Sequence, residues 1–225
     1  DVVCPWCYVG KRRFEAALAQ FPHRDDIELV WRSFELDPHA PASPEQGGGY
    51  AERLARKYGG GLARAQQMID TMTATAAAEG LDFRFDLARP GNTFDAHRLL
   101  HLALERGVQD AVKERLDAAT FGEGLRVSDH ESLVAVVAEA GLDADEARAV
   151  LASDRYADAV RADEARAAAY GISGVPFFVV DGRYGVSGAQ PAELLLQVLE
   201  TAHREGPFLT VTGHGPACDD ESCAV

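Results

Sequence analysis

Sulfur is scarce in this chain, with four cysteines and two methionines among 225 residues. Four cysteines at this length do not make a disulfide scaffold of the secreted kind. Positive charge is also in short supply: 22 Lys and Arg stand against 36 Asp and Glu, for a net charge of −14. Phosphate binding needs clustered cations, so nucleic acid is disfavoured as a partner, and an anionic membrane surface with it. No apolar run approaches the roughly 18 residues that a bilayer crossing requires. No apolar segment of the signal-peptide kind precedes Cys4, which points to a cytoplasmic address. Internal repeats and low-complexity tracts are missing too. What is present is ordinary: 47% hydrophobic and 26% charged residues, enough for one good core with room for an insertion.

The periodicity divides the chain into an α/β part and a helical part. Val2-Val3 reads as the end of a strand, and Pro5 suits the first turn of a helix that continues through Phe14, Ala17, Leu18 and Phe21. Residues 27–36, rich in β-formers and closed by Asp37-Pro38, predict a strand. Residues 40–49 are Pro, Ser and Gly, a loop signal. From Tyr50 to about Tyr170 the pattern is helical, with helices expected over 63–79, 94–106, 109–121, 131–140 and 154–170. The period returns to that of a strand over 175–182, turns at Asp181-Gly182 and pairs with 183–187 as a hairpin. Pro191 opens a last helix, and a tail without a core pattern follows Glu205. The expected organisation is therefore 1–45 and 154–205 together as a small α/β sheet unit, an all-helical insertion over 46–153, and a tail over 206–225.

The cysteines fall into two close pairs, Cys4-Pro5-Trp6-Cys7 at the front and Cys218 with Cys223 in the tail. A C-x-x-C at a strand-to-helix junction puts its first sulfur where unpaired N–H groups and the helix dipole favour an anion. That lowers the thiol pKa of Cys4 and raises the thiolate that attacks disulfides, while Cys7 lies close enough to resolve the mixed disulfide. Pro5 stiffens the loop, and Trp6 offers an aromatic surface without charge. Far along the chain, Val175-Pro176 leads an apolar strand after a Gly-rich turn, a candidate cis-proline. Its missing N–H leaves a backbone edge able to hold an extended peptide beside the reactive sulfur.

The C-P-W-C motif, the G-V-P-F-F before the hairpin and N-T-F-D-A-H-R-L-L-H in the helical stretch resemble the DsbA-like oxidoreductases, and within them the FrnE-like group. The resemblance runs to about His203. It implies an α/β thioredoxin-like fold with a large helical insertion, Cys4 as attacking thiol, Cys7 as resolving thiol and Val175-Pro176 as the cis-proline loop that binds substrate. It also implies protein or peptide thiols and disulfides as partners, served by a cellular thiol reductant, with no cofactor and no metal. In that family a strand starts several residues before the motif, so the front of this sequence reads as shortened. Trp6 in place of a cationic residue implies a milder oxidant than a C-P-H-C protein.

Other readings of the same residues stay open. The four cysteines together are a tetrahedral zinc set by residue type, although the second pair has C-x4-C spacing. A glutathione-dependent transferase or isomerase shares the fold, but typically carries serine where Cys4 stands. Cys218 and Cys223 are either inert or a second redox pair exchanging with the first, with Asp219, Asp220 and Glu221 raising their thiol pKa values. His97 and His101 have metal-ligand spacing without the intervening acid of H-E-x-x-H, which favours a packing role. The face around Asn92, Phe94 and His97 is expected to line the cleft over Cys4. Lys11-Arg12-Arg13 is either a solvated face or an aid to holding thiolate or an acidic substrate.

Overall fold

A computed structural model describes residues 1–41, 49–89 and 91–206. Cys218 and Cys223, and with them the expected second redox pair, lie outside the described residues. The first helix, α1 (Pro5–Gln20), begins as the sequence dictates, with Cys4 in an extended N-cap conformation and proline in the first turn. Its stripe of Tyr8, Val9, Phe14 and Ala17 is buried, and it stops at Phe21, whose N–H reaches back to the Leu18 carbonyl.

The helical region comprises α2 (Tyr50–Tyr58), α3 (Gly61–Ala78), α4 (Phe94–Glu105), α5 (Gln109–Ala118), α6 (His130–Glu139), α7 (Ala144–Leu151) and α8 (Ala157–Ala169). Gly59, Gly60 and Gly61 all take positive φ and form the reversal between α2 and α3, a conformation that glycine adopts without cost. Asp129 and Asp143 cap α6 and α7 by accepting from the N–H groups of Ser132 and Glu146. The helix α7 has no counterpart in the expected set, because its eight residues are mostly Ala, Asp and Glu with only Val150 and Leu151 as large apolar side chains. The last helix expected before the hairpin is likewise shorter than its pattern. Buried Arg98 explains this, since its guanidinium donates to the carbonyls of Val150, Ser153 and Arg155 and fixes a turn there.

The hairpin appears as expected: β1 (Phe177–Val180) pairs antiparallel with β2 (Tyr184–Ser187), Phe178 opposite Val186. Asp181 and Gly182 have φ of 52° and 66°, the two positive values a tight two-residue turn requires. The terminal helix α9 (Ala192–Glu205) covers it.

Two expected strands are absent. Val2-Val3 forms a turn, and Val2 is buried in the helical core instead. Residues 27–36 run without regular strand pairing, although their composition is that of a strand. A cavity of about 600 Å³ separates them from β1, lined on one side by Leu29, Val30 and Trp31 and on the other by Phe177, Phe178 and Val179. Side chains take the place of a ladder. Trp31 N–H donates to Gln109 Oε1 at 2.9 Å, and Gln109 Nε2 donates to the Trp31 carbonyl at 2.9 Å. Ser33 N–H donates to Asp163 at 2.9 Å and Leu36 N–H to Asp1 at 2.8 Å.

Three apolar clusters result. One is formed by α4 to α7 around Leu99, Leu116 and Leu133; one joins Tyr8 and Val9 to Met72, Phe83, Phe85 and Phe121; one joins Phe14 and Phe21 to Val186, Leu195 and Leu199. The helix α1 thus lies between the second and the third. No helix among the described residues is long and apolar enough to cross a membrane.

Candidate active site

Cys4 and Cys7 sit at the first turn of α1, both as buried thiols, joined by the Cys7 N–H that donates to the Cys4 carbonyl at 3.0 Å. The Val175–Pro176 peptide bond is cis. The loop it forms faces the sulfur, with Cys4 Sγ 3.6 Å from the Val175 carbonyl oxygen. The structure therefore brings together Cys4, Cys7, Val175 and Pro176, residues separated by 171 positions. Gly10 allows this approach: a Cβ there would lie 3.0 Å from Pro176 Cγ and 3.3 Å from Pro176 Cβ.

The two sulfurs open on different sides. Cys4, Pro5 and Trp6 line a cleft of about 810 Å³, and Trp6 is 42% exposed on its rim. Cys7, Val175 and Pro176 line the smaller cavity beside β1. Cys4 is hence the sulfur on the side of the larger cleft.

The two thiols influence each other: hydrogen bonding with Cys7, and burial after it, push the Cys4 thiol above the ordinary range. Burial also opposes a charge on Cys7, but the hydrogen bond with Cys4, the positive amino group of Asp1 and, after it, the charge of Lys113 outweigh it and hold the Cys7 sulfur below that range. The sequence placed the lowered thiol at Cys4. The structure reverses this order, because the positive charges of the Asp1 amino group and Lys113 act on Cys7.

Lys113 was not legible as a site residue. It lies on α5 in an i, i+4 pair with Asp117, a spacing that usually marks a solvated face. Here both side chains are almost fully buried and ion-paired, and Lys113 also lies 5.4 Å from the centre of the Trp31 ring. Burial raises the Asp117 carboxyl pKa against the attraction of Lys113. Tyr50 is a second unforeseen neighbour. Its hydroxyl is pushed up to about 12 by burial and by the charge of Cys4, so the phenol stays protonated beside the sulfur.

The histidines are placed differently from the expectation. His97 is fully buried and opens on the smaller cavity, with Nε2 3.6 Å from the Asp1 carboxylate. Asn92 donates to the Pro38 carbonyl at 3.4 Å, and Gly91 and Thr93 line the large cleft in place of Asn92, Phe94 and His97. His101 is 3.1 Å from Ser33 Oγ and 3.3 Å from Asp163. Lys11, Arg12 and Arg13 are consumed by ion pairs with Glu15, Glu114 and Glu79 and do not reach the cleft.

A model of the DSBA-like thioredoxin domain family matches residues 1–200, and the chain belongs to that family. Its fold is accordingly the DsbA-like thioredoxin fold, mostly helical with a small two-stranded sheet. A crystal structure of a probable DsbA oxidoreductase from Streptomyces coelicolor is similar at 51% identity and a TM-score of 0.87, covering 100% of this chain and 96% of that one. The protein YwbO of Bacillus subtilis (strain 168) is 29% identical over 184 residues, 80% of this chain and 83% of that protein. A 2-hydroxychromene-2-carboxylate isomerase structure shares the fold at 19% identity and a TM-score of 0.59, over 91% of this chain and 94% of that one.

Proposed function

We propose that the protein is a thiol–disulfide oxidoreductase acting on protein and peptide disulfides through Cys4 and Cys7. The observation that carries this reading is the placement of Cys4 Sγ 3.6 Å from the Val175 carbonyl, at the floor of the large cleft, with a second thiol one helical turn away. In the reducing direction the Cys4 thiolate attacks a substrate disulfide. A Cys4–substrate disulfide forms and the other substrate sulfur leaves as a thiolate, taking a proton. Cys7 then attacks Cys4 Sγ and expels the second substrate thiol, so two electrons pass from the dithiol to the substrate. A cellular thiol restores the dithiol, and the reverse sequence oxidises or reshuffles a substrate. Cys218 and Cys223 are proposed as a second pair exchanging with the first.

Insulin reduction tests the reading. Cys4→Ser is expected to abolish it, and Cys7→Ser to accumulate mixed disulfides visible on non-reducing gels. Full activity in Cys4→Ser would overturn the assignment. Replacing both Cys218 and Cys223 with serine is expected to slow turnover, and an unchanged rate removes the second pair from the reaction.

A further inference from the structure

The large cleft carries an electrostatic feature that the exchange chemistry does not use. Arg53, Arg56, Lys57 and Arg64 line it on the side formed by α2 and α3. Among the described residues none of the four has an ion-pair partner, whereas most cations elsewhere, including Lys11, Arg13, Arg98 and Arg115 but not Arg89, Arg126, Arg166 or Arg204, are matched by a carboxylate. One Arg53 guanidinium nitrogen is buried with no hydrogen-bond partner among those residues. Arg53 also lies over the Tyr50 ring, 5.6 Å from its centre. In a chain of net charge −14, carboxylates to neutralise these cations are plentiful. Asp1 and Asp37 are the carboxylates in the same lining, so four cations against two leave the cleft positive in a negative molecule. Exposed Trp6, Tyr58 and Met68 add apolar surface to the same walls.

We propose that this cleft selects substrates by charge: the segment docked beside Cys4 is an acidic stretch of a partner polypeptide, with Asp or Glu near the cysteine being exchanged and apolar residues against Trp6, Tyr58 and Met68. The proposal rests on the reading of Cys4 and Cys7 as the exchanging pair. Complementary charge raises the rate of encounter and sets the register, and it does so against the repulsion that the rest of this acidic surface exerts on the same partner. Selectivity therefore resides in the mouth of the cleft.

The test uses the full chain and short dye-labelled peptides of equal length with serine in place of cysteine, flanked by Asp/Glu, by Gln or by Lys. Anisotropy at about 20 mM salt is expected to give at least about tenfold tighter binding of the acidic peptide than of the lysine peptide, and the difference should vanish near 0.5 M salt. Arg56 and Lys57 are exposed, so the double variant Arg56→Glu/Lys57→Glu keeps the fold, checked by circular dichroism, and inverts the order. Equal binding of all three peptides, or an acidic preference that survives in the variant, would overturn the proposal. Acidic-peptide binding that appears only in Asp219→Asn/Asp220→Asn/Glu221→Gln would assign the cleft to the chain's own terminus and would also overturn it. The cysteine forms of the peptides separate the two readings. Exchange at equal rates with all three defeats charge selection alone. Charge-selective binding with no exchange on any peptide defeats the oxidoreductase reading alone.

Discussion

Lys113 and His97 show what single buried side chains do to the titration of the protein. Lys113 stabilises the thiolate of the pair by its charge and is itself stabilised by Asp117. Lys113→Met removes both interactions while keeping the bulk. The thiolate titration, followed by ultraviolet absorbance, is expected to move up. Stability should fall by about 3–5 kcal/mol, since the Asp117 carboxyl is left buried without its cation. An unmoved titration would show that Lys113 is only structural. His97 acts through pH. Its burial, with the amino group of Asp1 and then Lys113 and His101 adding like charge, holds its pKa well below the usual 6.5, so the native imidazole is neutral. The unfolded chain takes up a proton below about pH 6.5 and the native one does not. Stability is therefore lost as pH falls from there, by at most about 1.4 kcal/mol per pH unit from this group. In His97→Gln the fall between pH 6.5 and 5 should be shallower, as read from urea midpoints; an identical slope would reject the assignment.

Among the secondary elements, α1 and the segment 27–36 decide how the site is built. The start of α1 was legible because proline, a C-x-x-C and an apolar stripe all point to the same helix. The hairpin was legible because Asp181-Gly182 fits only a tight turn. The segment 27–36 was not: its β-rich composition says nothing about whether a partner strand lies within hydrogen-bonding distance, and Gln109, Asp163 and Asp1 supply its bonds from remote helices and the chain start. Gln109→Ala removes two of these bonds at once. It should cost about 1–3 kcal/mol and speed hydrogen exchange at the Trp31 amide, while unchanged exchange would mean that the segment is held otherwise. Gly10 carries the other constraint. In mid-helix, replacing glycine by a larger residue normally stabilises by up to about 1 kcal/mol. At position 10 the new side chain meets the Pro176 ring, so Gly10→Val is expected to destabilise by about 1–3 kcal/mol. It should also slow exchange at Cys4, and faster exchange would show that the proline loop is not fixed by this contact.

For the molecule as a whole, the question is whether the helical region and the sheet region unfold as one. The periodicity separates 46–153 from the flanking parts, but the packing ties them. Val2, two residues before the N-cap Cys4, is buried with Leu99 and Leu133, whereas Tyr8 and Val9 join α3 and Phe14 and Phe21 join α9. Residues on either side of Cys4 and Cys7 thus belong to different clusters, and each cluster holds the active-site turn from a different direction. Arg98 and Gln109 add polar ties between α4 or α5 and segments outside their own helices. Leu133, fully buried among α4 to α7, provides the test. Leu133→Ala should cost about 2–5 kcal/mol by leaving a cavity in the helical cluster. If the clusters are coupled through α1, helical signal and thiol exposure at Cys4 and Cys7 will be lost in a single urea transition, shifted as a unit in the variant. Loss of helix in a first transition that leaves the thiols protected would show instead that the insertion folds by itself. The site would then owe its geometry to α1 and the proline loop alone.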